Sequence, residues 1–246
     1  MKLTEHIFLV GSSCMGLSES GDCNVYAVAD GQQIYLIDCG LSPNPDRLLK
    51  NMESDGLDAR NLRGVLLTHA HPDHVGAVST FREMGVPILG GVKSADVLRL
   101  GIAGYYRLET RLPASVFRDF FCGVGPERID GVLLPGERLA LDTCVLELVN
   151  APGHSPDSVC YLLRDGTKKH LFTGDTLFYP GHVNYFTWPL SCPDAYPRTL
   201  CRLAAIRPDG LYPGHGLFTV DRGWQCTDQA KACIAAGTLP PLKPYS

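Results

Sequence analysis

The sequence reads Thr68-His69-Ala70-His71-Pro72-Asp73-His74 at the stretch that decides its fold. Four of these seven residues, three histidines and one aspartate, have side chains that bind metal ions. The preceding Val65-Leu66-Leu67 is short and apolar, which predicts a buried strand, and Val75-Gly76-Ala77-Val78 opens an amphipathic helix. The potential ligands therefore lie on a strand-to-helix turn, where a rigid scaffold holds side chains at fixed angles. One turn cannot close a catalytic metal site, so other ligands must come from elsewhere in the chain.

Three more candidate ligands follow predicted strands, in turns rich in glycine or proline: His154, Asp175 and His215. A single histidine is more often a hydrogen-bonded structural residue than a ligand. Five of the eight histidines, however, lie in the four turns described so far, and packing alone does not explain that distribution. Structural interpretations stay open for two carboxylates, since Asp73 could cap a helix and Asp175 could brace its turn.

One order of elements occurs twice in the chain. Each copy has a strand, an Asp-Gly hairpin turn, a strand ending in aspartate, a helix, and a strand ending in histidine. The hairpin turns are Asp30-Gly31 and Asp165-Gly166, and the strand-ending aspartates are Asp38 and Asp175. We therefore predict an α/β fold in a single domain over residues 1–246, made of two related halves. A helical insertion at about 93–130 is a candidate cover for a site.

Composition and charge exclude several classes of protein. The 246 residues are 45% apolar and 20% charged, and the net charge of −4 argues against a nucleic-acid partner. No apolar run approaches the roughly 20 residues that cross a bilayer. Glu5 and His6 interrupt the region where a signal peptide would be apolar. We expect a cytoplasmic protein with a small-molecule substrate and no membrane partner, and a homodimer stays open. The ten cysteines are scattered without a Cys-x-x-Cys pair, which predicts free thiols.

These motifs, in this order, resemble the metallo-β-lactamase superfamily over most of the chain. His-x-His-x-Asp-His is a specific motif, and with the three later ligands it is close to diagnostic. The resemblance implies an αββα sandwich, with the site at the strand ends between the two sheets. It also implies which residues hold which ion. The first ion takes His69, His71 and His154, the second takes Asp73, His74 and His215, and Asp175 bridges both.

The donor set itself predicts the chemistry. Imidazoles with carboxylates favour borderline divalent ions, zinc above all, with iron and manganese left open, and seven side chains exceed what one tetrahedral ion can use. Two ions about 3.5–4 Å apart can share a hydroxide with a pKa near 7, which predicts hydrolysis. Asp73 would orient this water and then carry a proton to the leaving group. By the resemblance, Asp38 braces the ligands from behind, with Cys39 in place of the more usual threonine.

The complete ligand set looks like that of the glyoxalase II and lactonase branches of the superfamily. We predict a dinuclear hydrolase of an ester-like acyl bond, with lactone or carboxylic ester narrowly ahead of thioester. Glyoxalase II binds glutathione with a C-terminal helical domain, whereas the sequence after His215 offers one helix at most. Three alternatives stay open: an iron-dependent persulfide dioxygenase of the same superfamily, a β-lactamase, and a non-catalytic metal-binding protein.

Aromatic residues are the candidates for substrate contacts. Tyr105 and Tyr106 lie in the insertion, and the loop after Asp175 carries Tyr179 and other aromatics as far as Trp188. By loose analogy with lactonases that use a tyrosine in this loop, we predict that Tyr179 contacts the oxyanion. Core packing is an equally good explanation for each of these aromatic residues.

Overall fold

Two β-sheets, one in each half of the chain, form the framework of the protein. The structure is a computed structural model that describes residues 1–107, 125–186 and 190–244. Its contacts divide the chain into two units, Met1–Leu133 and Leu134–Ser246, and each unit has its own sheet and helices. The prediction of a single domain over residues 1–246 stays a prediction.

The sheet of the first unit has six strands. They are β1 (Ile7–Gly11), β2 (Val25–Asp30), β3 (Gln33–Ile37), β4 (Leu62–Leu67), β5 (Ile88–Gly91) and β6 (Gly131–Leu133). They lie side by side in chain order, antiparallel from β1 to β3 and parallel from β3 to β6. The predicted Asp30-Gly31 turn joins β2 to β3, and the predicted strand Val65-Leu66-Leu67 is the fully buried end of β4.

The helices of the first unit are short. They are α1 (Asp46–Ser54), α2 (Pro72–Val75), α3 (Val78–Glu83), α4 (Val92–Leu100) and α5 (Ile102–Tyr106). The last two occupy the start of the predicted insertion. Residues 108–124 of the insertion lie outside the described residues, and the role of the insertion as a cover stays a prediction.

Helix α2 is packed closely against the chain that follows β3. Gly76 lies just after α2, and a Cβ atom there would lie 1.9 Å from the backbone oxygen of Leu41. The amide of Gly76 also donates a 2.7 Å hydrogen bond to the carbonyl of Gly40. Only glycine permits this approach. The contact fixes α2, which carries Asp73 and His74, against the end of β3.

The second unit has a five-stranded sheet. Its strands are β7 (Arg138–Ala140), β8 (Cys144–Asn150), β9 (Val159–Asp165), β10 (Lys168–Gly174) and β11 (Gly210–Pro213), in the spatial order β11-β10-β9-β8-β7. Only the β10–β11 pair is parallel. Helices α6 (Tyr196–Ile206) and α7 (Trp224–Ala235) complete the unit. Leu200 and Leu203 of α6 belong to one buried apolar cluster with Leu162, Leu171 and Leu211 of the sheet.

The predicted repeat of element order is present in both units. An antiparallel hairpin (β2–β3) is followed by α1 and the parallel strand β4 in the first unit. The hairpin β9–β10 is followed by α6 and the parallel strand β11 in the second. In each unit the helix therefore brings the chain back beside the strand that it just left. Among the described residues, no helix is long and apolar enough to cross a membrane.

Candidate metal-binding site

The three histidines of the first unit are buried next to one another at the end of β4. His69, His71 and His74 have relative exposures of 0%, 4% and 0%. The ring centroid of His69 lies 4.5 Å from that of His71 and 4.2 Å from that of His74. Pro72 in the first turn of α2 starts the helix without needing a backbone N–H. The strand-to-helix turn thus brings the predicted imidazole ligands together.

Asp38, at the end of β3, holds this turn in place. Its carboxylate accepts hydrogen bonds from the Thr68 amide (2.7 Å), the Thr68 hydroxyl (2.8 Å) and Nδ1 of His74 (2.8 Å). All three residues are buried. Asp38 has φ = 62°, in the left-handed region that aspartate tolerates better than most residues. This geometry agrees with the brace that the family resemblance implies for Asp38.

The hydrogen bonds of His69 and His74 also indicate which nitrogen of these two rings carries the proton. Because His74 Nδ1 faces a carboxylate, Nδ1 donates. The single hydroxyl proton of Thr68 goes to Asp38, so the 3.0 Å contact between Thr68 Oγ1 and His69 Nδ1 makes His69 the donor. In the neutral imidazole the other nitrogen then has the lone pair. Both rings therefore offer Nε2, in the tautomer that a metal ion requires.

Asp73 lies in the first turn of α2 and is mostly buried. Its Oδ2 lies 3.6 Å from Nε2 of His74, and its side chain is 14% exposed. The N-cap of α2 is His71, so Asp73 does not cap that helix. Backbone amides hold this turn as well. Cys23 donates to the carbonyl of Asp73 (3.3 Å), and Cys39 donates to the carbonyl of His74 (2.9 Å).

Two thiols lie close to this cluster: Cys39, which follows Asp38 in the chain, and Cys23, which sequence reasoning did not place there. The ligand atoms of Cys23, Asp38 and His74 all lie within 4.8 Å of one another. Burial raises the pKa of the Cys23 thiol to about 12, and it raises the pKa of Cys39 well above its ordinary value. The Cys39 thiol donates to the carbonyl of His74 at 3.3 Å. The Cys39 thiol thus makes a hydrogen bond that a threonine hydroxyl in the same position could also make.

The second unit brings together the other three predicted ligands. Oδ2 of Asp175 lies 3.6 Å from Nε2 of His154 and 3.6 Å from Nε2 of His215. Asp175 directly follows β10, and His215 comes two residues after β11. Since β10 and β11 are parallel neighbours, both side chains emerge at the same edge of the sheet. One carboxylate oxygen close to two imidazole nitrogens is a set of donors that borderline divalent ions bind.

The orientation of His154 depends on residues outside the predicted set. Its Nδ1 lies 2.9 Å from the carbonyl of Asn184, which makes Nδ1 the donor and leaves the lone pair on Nε2. The hydroxyl of Tyr196 donates to the same carbonyl at 2.6 Å. The Tyr196 ring also packs on Gly153, where a Cβ atom would lie 2.8 Å from it. The hydroxyl of Ser191 donates to the backbone carbonyl of His154.

Tyr196 is a hydrogen-bond donor and not a general base. Burial raises its pKa well above the ordinary value, and the charge of Asp175 raises it further. The phenol therefore keeps its proton at neutral pH. In the sequence, Tyr196 resembles any other apolar residue at the start of an amphipathic helix, and no local signal marks it as a neighbour of His154.

The residues predicted to contact substrate are less clearly placed. Tyr179 is 44% exposed, on the loop that follows β10. In α5, Tyr105 is half-buried, and Tyr106 is 5% exposed with its ring against Tyr105 at a centroid distance of 5.0 Å. The burial of Tyr106 fits core packing. The aromatic Trp188 lies outside the described residues, and the substrate contacts stay predictions.

The donor set fits divalent metal ions. Neutral imidazoles that present Nε2, together with carboxylates, are the ligands that zinc and similar ions take. His69, His74 and His154 each donate from Nδ1 to an oxygen atom, which is the usual support of a metal-bound histidine. The chemistry of the residues thus agrees with the sequence prediction in each unit separately.

Several known hydrolases are similar in sequence to this chain. The acyl-coenzyme A thioesterase MBLAC2 of Gallus gallus is 30% identical over 223 residues, which are 83% of this chain and 76% of that protein. The hydroxyacylglutathione hydrolase GloC of Haemophilus influenzae is 30% identical over 159 residues, 62% of this chain and 65% of that protein. An atrochrysone carboxyl ACP thioesterase of Cryptosporiopsis is 28% identical over 84% of this chain, and the chain spans only 52% of that relative.

Solved structures show the fold, and a family model shows the family. A metallo-beta-lactamase family protein from Thermus thermophilus has a TM-score of 0.74 at 22% identity, over 96% of this chain and 81% of that one. A metallo-beta-lactamase HARLDQ-motif mutant from Cronobacter sakazakii has a TM-score of 0.73 at 19% identity, over 96% and 95%. These similarities confirm the predicted α/β fold class. Residues 19–215 match the model of the metallo-beta-lactamase superfamily, and the chain therefore belongs to that superfamily.

Proposed function

We propose that the protein is a metal-dependent hydrolase that cleaves the ester-like acyl bond of a small molecule. The observation that carries this proposal is the set of buried histidines with fixed tautomers, each presenting Nε2, beside carboxylates. Relatives named as thioesterases and as a hydroxyacylglutathione hydrolase support hydrolysis of thioester or ester bonds. Degenerate, non-catalytic members of a family lose ligands, and this chain keeps all seven that the motif demands.

Two ions would be held by the residues that the family resemblance assigns. The first would take His69, His71 and His154, the second Asp73, His74 and His215, with Asp175 shared. When bound, such ions activate water near neutral pH and polarise the acyl carbonyl. Zinc is the first candidate, because imidazole nitrogen and carboxylate oxygen suit it, and iron and manganese are the other two.

The chain's own groups would orient the reactants and move the proton. Asp73 is the candidate general base and acid, since its carboxylate lies at the rim of the buried imidazole cluster and is still partly exposed. Asp38 does not reach substrate in this proposal, because its oxygens are already bonded to Thr68 and His74. Tyr179 stays our candidate for contact with the substrate oxyanion, as an exposed phenol on the loop after Asp175.

Among ester-like substrates we place thioesters first. This order reverses the narrow preference for lactones and carboxylic esters that the sequence alone suggested. The reason is that three relatives from distant organisms bear names that specify thioesters of coenzyme A, acyl carrier protein or glutathione. All three leaving groups are thiols, so the acyl–sulfur bond is what the three named substrates share.

A matched substrate panel tests the reaction. We expect the zinc-loaded protein to hydrolyse the thioester of a given acyl group at least about tenfold faster, in kcat/KM, than its oxygen ester or the corresponding lactone, a difference of about 1.4 kcal/mol in transition-state binding. The measurement is thiol release, or acid release for the oxygen esters, under identical conditions. A cephalosporin and an aryl ester complete the panel. Negligible rates on every substrate from protein that holds two metal ions would contradict acyl hydrolysis.

Metal removal tests the cofactor. Dialysis against a chelator should abolish hydrolysis and lower the Tm by about 10 °C. The reason is that a ligand at a concentration about a thousand times its Kd adds about 4 kcal/mol to the free energy of unfolding. Elemental analysis should find two ions per chain before dialysis. Zinc, manganese and iron(II) added back separately would rank the metals. An unchanged Tm together with a metal-free, fully active protein would contradict the proposal.

A further inference from the structure

The C-terminal segment is held beside the loop that follows β10. The amide of Val183 donates to the carbonyl of Pro241 at 3.0 Å, and the amide of Lys243 donates to the carbonyl of Val183 at 2.8 Å. Val183 and Leu242 therefore form a parallel β-bridge. Both residues belong to the second unit, and the two hydrogen bonds fix the backbone position of Lys243.

The side chain of Lys243 lies against the residue that follows His215. Its Cε atom lies 3.4 Å from the position that a Cβ atom on Gly216 would occupy. Its ammonium group lies 5.5 Å from the ring centroid of Phe178. Lys243 is half-buried. Within residues 1–107, 125–186 and 190–244, no carboxylate lies within salt-bridge distance of its ammonium group. A positive charge thus lies close to Gly216, the residue that follows a proposed metal ligand, without a protein counter-ion among the described residues.

Three exposed apolar residues are adjacent in sequence to Lys243 or to the residues that it contacts. Tyr179, Leu217 and Leu242 are 44%, 63% and 50% exposed. Each is the sequence neighbour of a residue that Lys243 contacts or of Lys243 itself: Phe178, Gly216 and Lys243. A cation with apolar neighbours suits a ligand that has both a negative group and an alkyl portion.

We propose that Lys243 binds a negatively charged group of the substrate, so that the substrate class is an anionic acyl ester or thioester. This inference rests on the proposed function. The ammonium group attracts the anion as a point charge, while the exposed apolar side chains pack against the carbon chain that connects the anion to the acyl bond. The negative group is either the phosphate portion of the leaving group or a carboxylate on the acyl chain. The Lys243 ammonium group would attract either of these negative groups.

A charge-matched substrate set tests the role of Lys243. The first pair is an acyl-coenzyme A and the same acyl thioester of pantetheine, which lacks the phosphates. The second pair is two pantetheine thioesters, with and without a terminal carboxylate on the acyl chain. We expect Lys243→Gln to raise KM about fivefold for the charged member of one pair, the range of a half-exposed ion pair, with kcat changed less than twofold. The KM of the uncharged members should not change. The pair that responds tells which end of the substrate carries the charge.

Two further variants control for structure. Lys243→Arg keeps the charge and should restore most of the lost affinity, whereas Lys231→Gln removes an exposed charge from α7 and should leave KM unchanged. Added salt should reduce the advantage of the charged substrate in the wild type and not in Lys243→Gln. If Lys243→Gln affects charged and uncharged substrates equally, Lys243 only packs against Phe178 and the inference is overturned.

A binding measurement separates this inference from the proposed function. An S-alkyl coenzyme A thioether cannot be hydrolysed, and calorimetry with it and with the S-alkyl pantetheine thioether needs no turnover. Tighter binding of the coenzyme A thioether than of the pantetheine thioether, weakened about fivefold in Lys243→Gln, would support the role of Lys243. If this result came with no hydrolysis of any substrate, only the proposed function would be rejected. The opposite result is hydrolysis whose KM depends neither on substrate charge nor on Lys243, together with calorimetric affinities that are equally independent of both. That result would support the proposed function and reject the role of Lys243.

Discussion

Replacing Asp73 with asparagine is expected to lower kcat about a thousandfold, while the protein keeps most of its metal. Removing a positioned general base or acid costs a factor of about 10²–10⁴. Asparagine has the same shape as aspartate and keeps one oxygen ligand, but it cannot take up a proton. The side chain also has room to act, since it is 14% exposed beside Nε2 of His74.

Steady-state kinetics and elemental analysis on the same preparation decide the outcome. Asp46→Asn is the matched control, because Asp46 also lies in the first turn of a helix. It is exposed to solvent, and it is distant in sequence from the histidine turn. Its kcat should equal that of the wild type. If Asp73→Asn retains its metal and turns over within a factor of about three of the wild type, then Asp73 does not transfer the proton.

Replacing Asp38 with alanine is expected to destabilise the protein by about 3–5 kcal/mol, because a buried donor that loses its acceptor costs about 1–3 kcal/mol and three donors share this carboxylate. The Thr68 amide and hydroxyl and His74 Nδ1 would lose their shared acceptor in a buried region. The affinity for metal should also fall, by a factor of about 10–100, because His74 would lose the group that orients it.

Urea unfolding of the metal-free protein and zinc titration measure these two effects separately. Asp38→Asn is the milder variant, since its carbonyl oxygen can still accept from the Thr68 amide while its NH₂ group cannot accept from His74. Its free energy of unfolding and its affinity for zinc should both lie between those of Asp38→Ala and those of the wild type. Asp96→Ala removes an exposed aspartate that pairs with Arg99, and it should change neither stability nor metal affinity appreciably. Equal metal affinity in Asp38→Ala and the wild type would show that Asp38 does not position His74.

The parts of the site that the sequence predicted are those in which the ligand and its support are close together in the chain. His69, His71 and His74 stand on one turn between a buried strand and a proline-initiated helix, and strand and helix patterns together predict such a turn. Asp175 and His215 could be predicted because each follows a strand of the second sheet. Their 3.6 Å approach follows from the parallel pairing of β10 with β11.

The parts that the sequence did not predict come from contacts between distant segments. Tyr196 and Asn184 orient His154 from 42 and 30 residues away, and neither lies in a recognisable motif. Cys23 lies close to His74 only because the loop before β2 passes over α2. Hydrophobic periodicity identifies buried faces, but it does not tell which buried polar atoms meet, so these supporting residues need coordinates.

The hydrogen bonds of Asp38 bear on the order in which the protein folds and binds metal. They are complete within the polypeptide, so the histidine turn gains its shape from protein atoms before any ion arrives. A zinc finger, by contrast, has no fold until its metal binds. The nascent chain should therefore fold first and acquire its ions later. If the protein binds ions as proposed, the ions available to the folded chain would then decide which metal it carries.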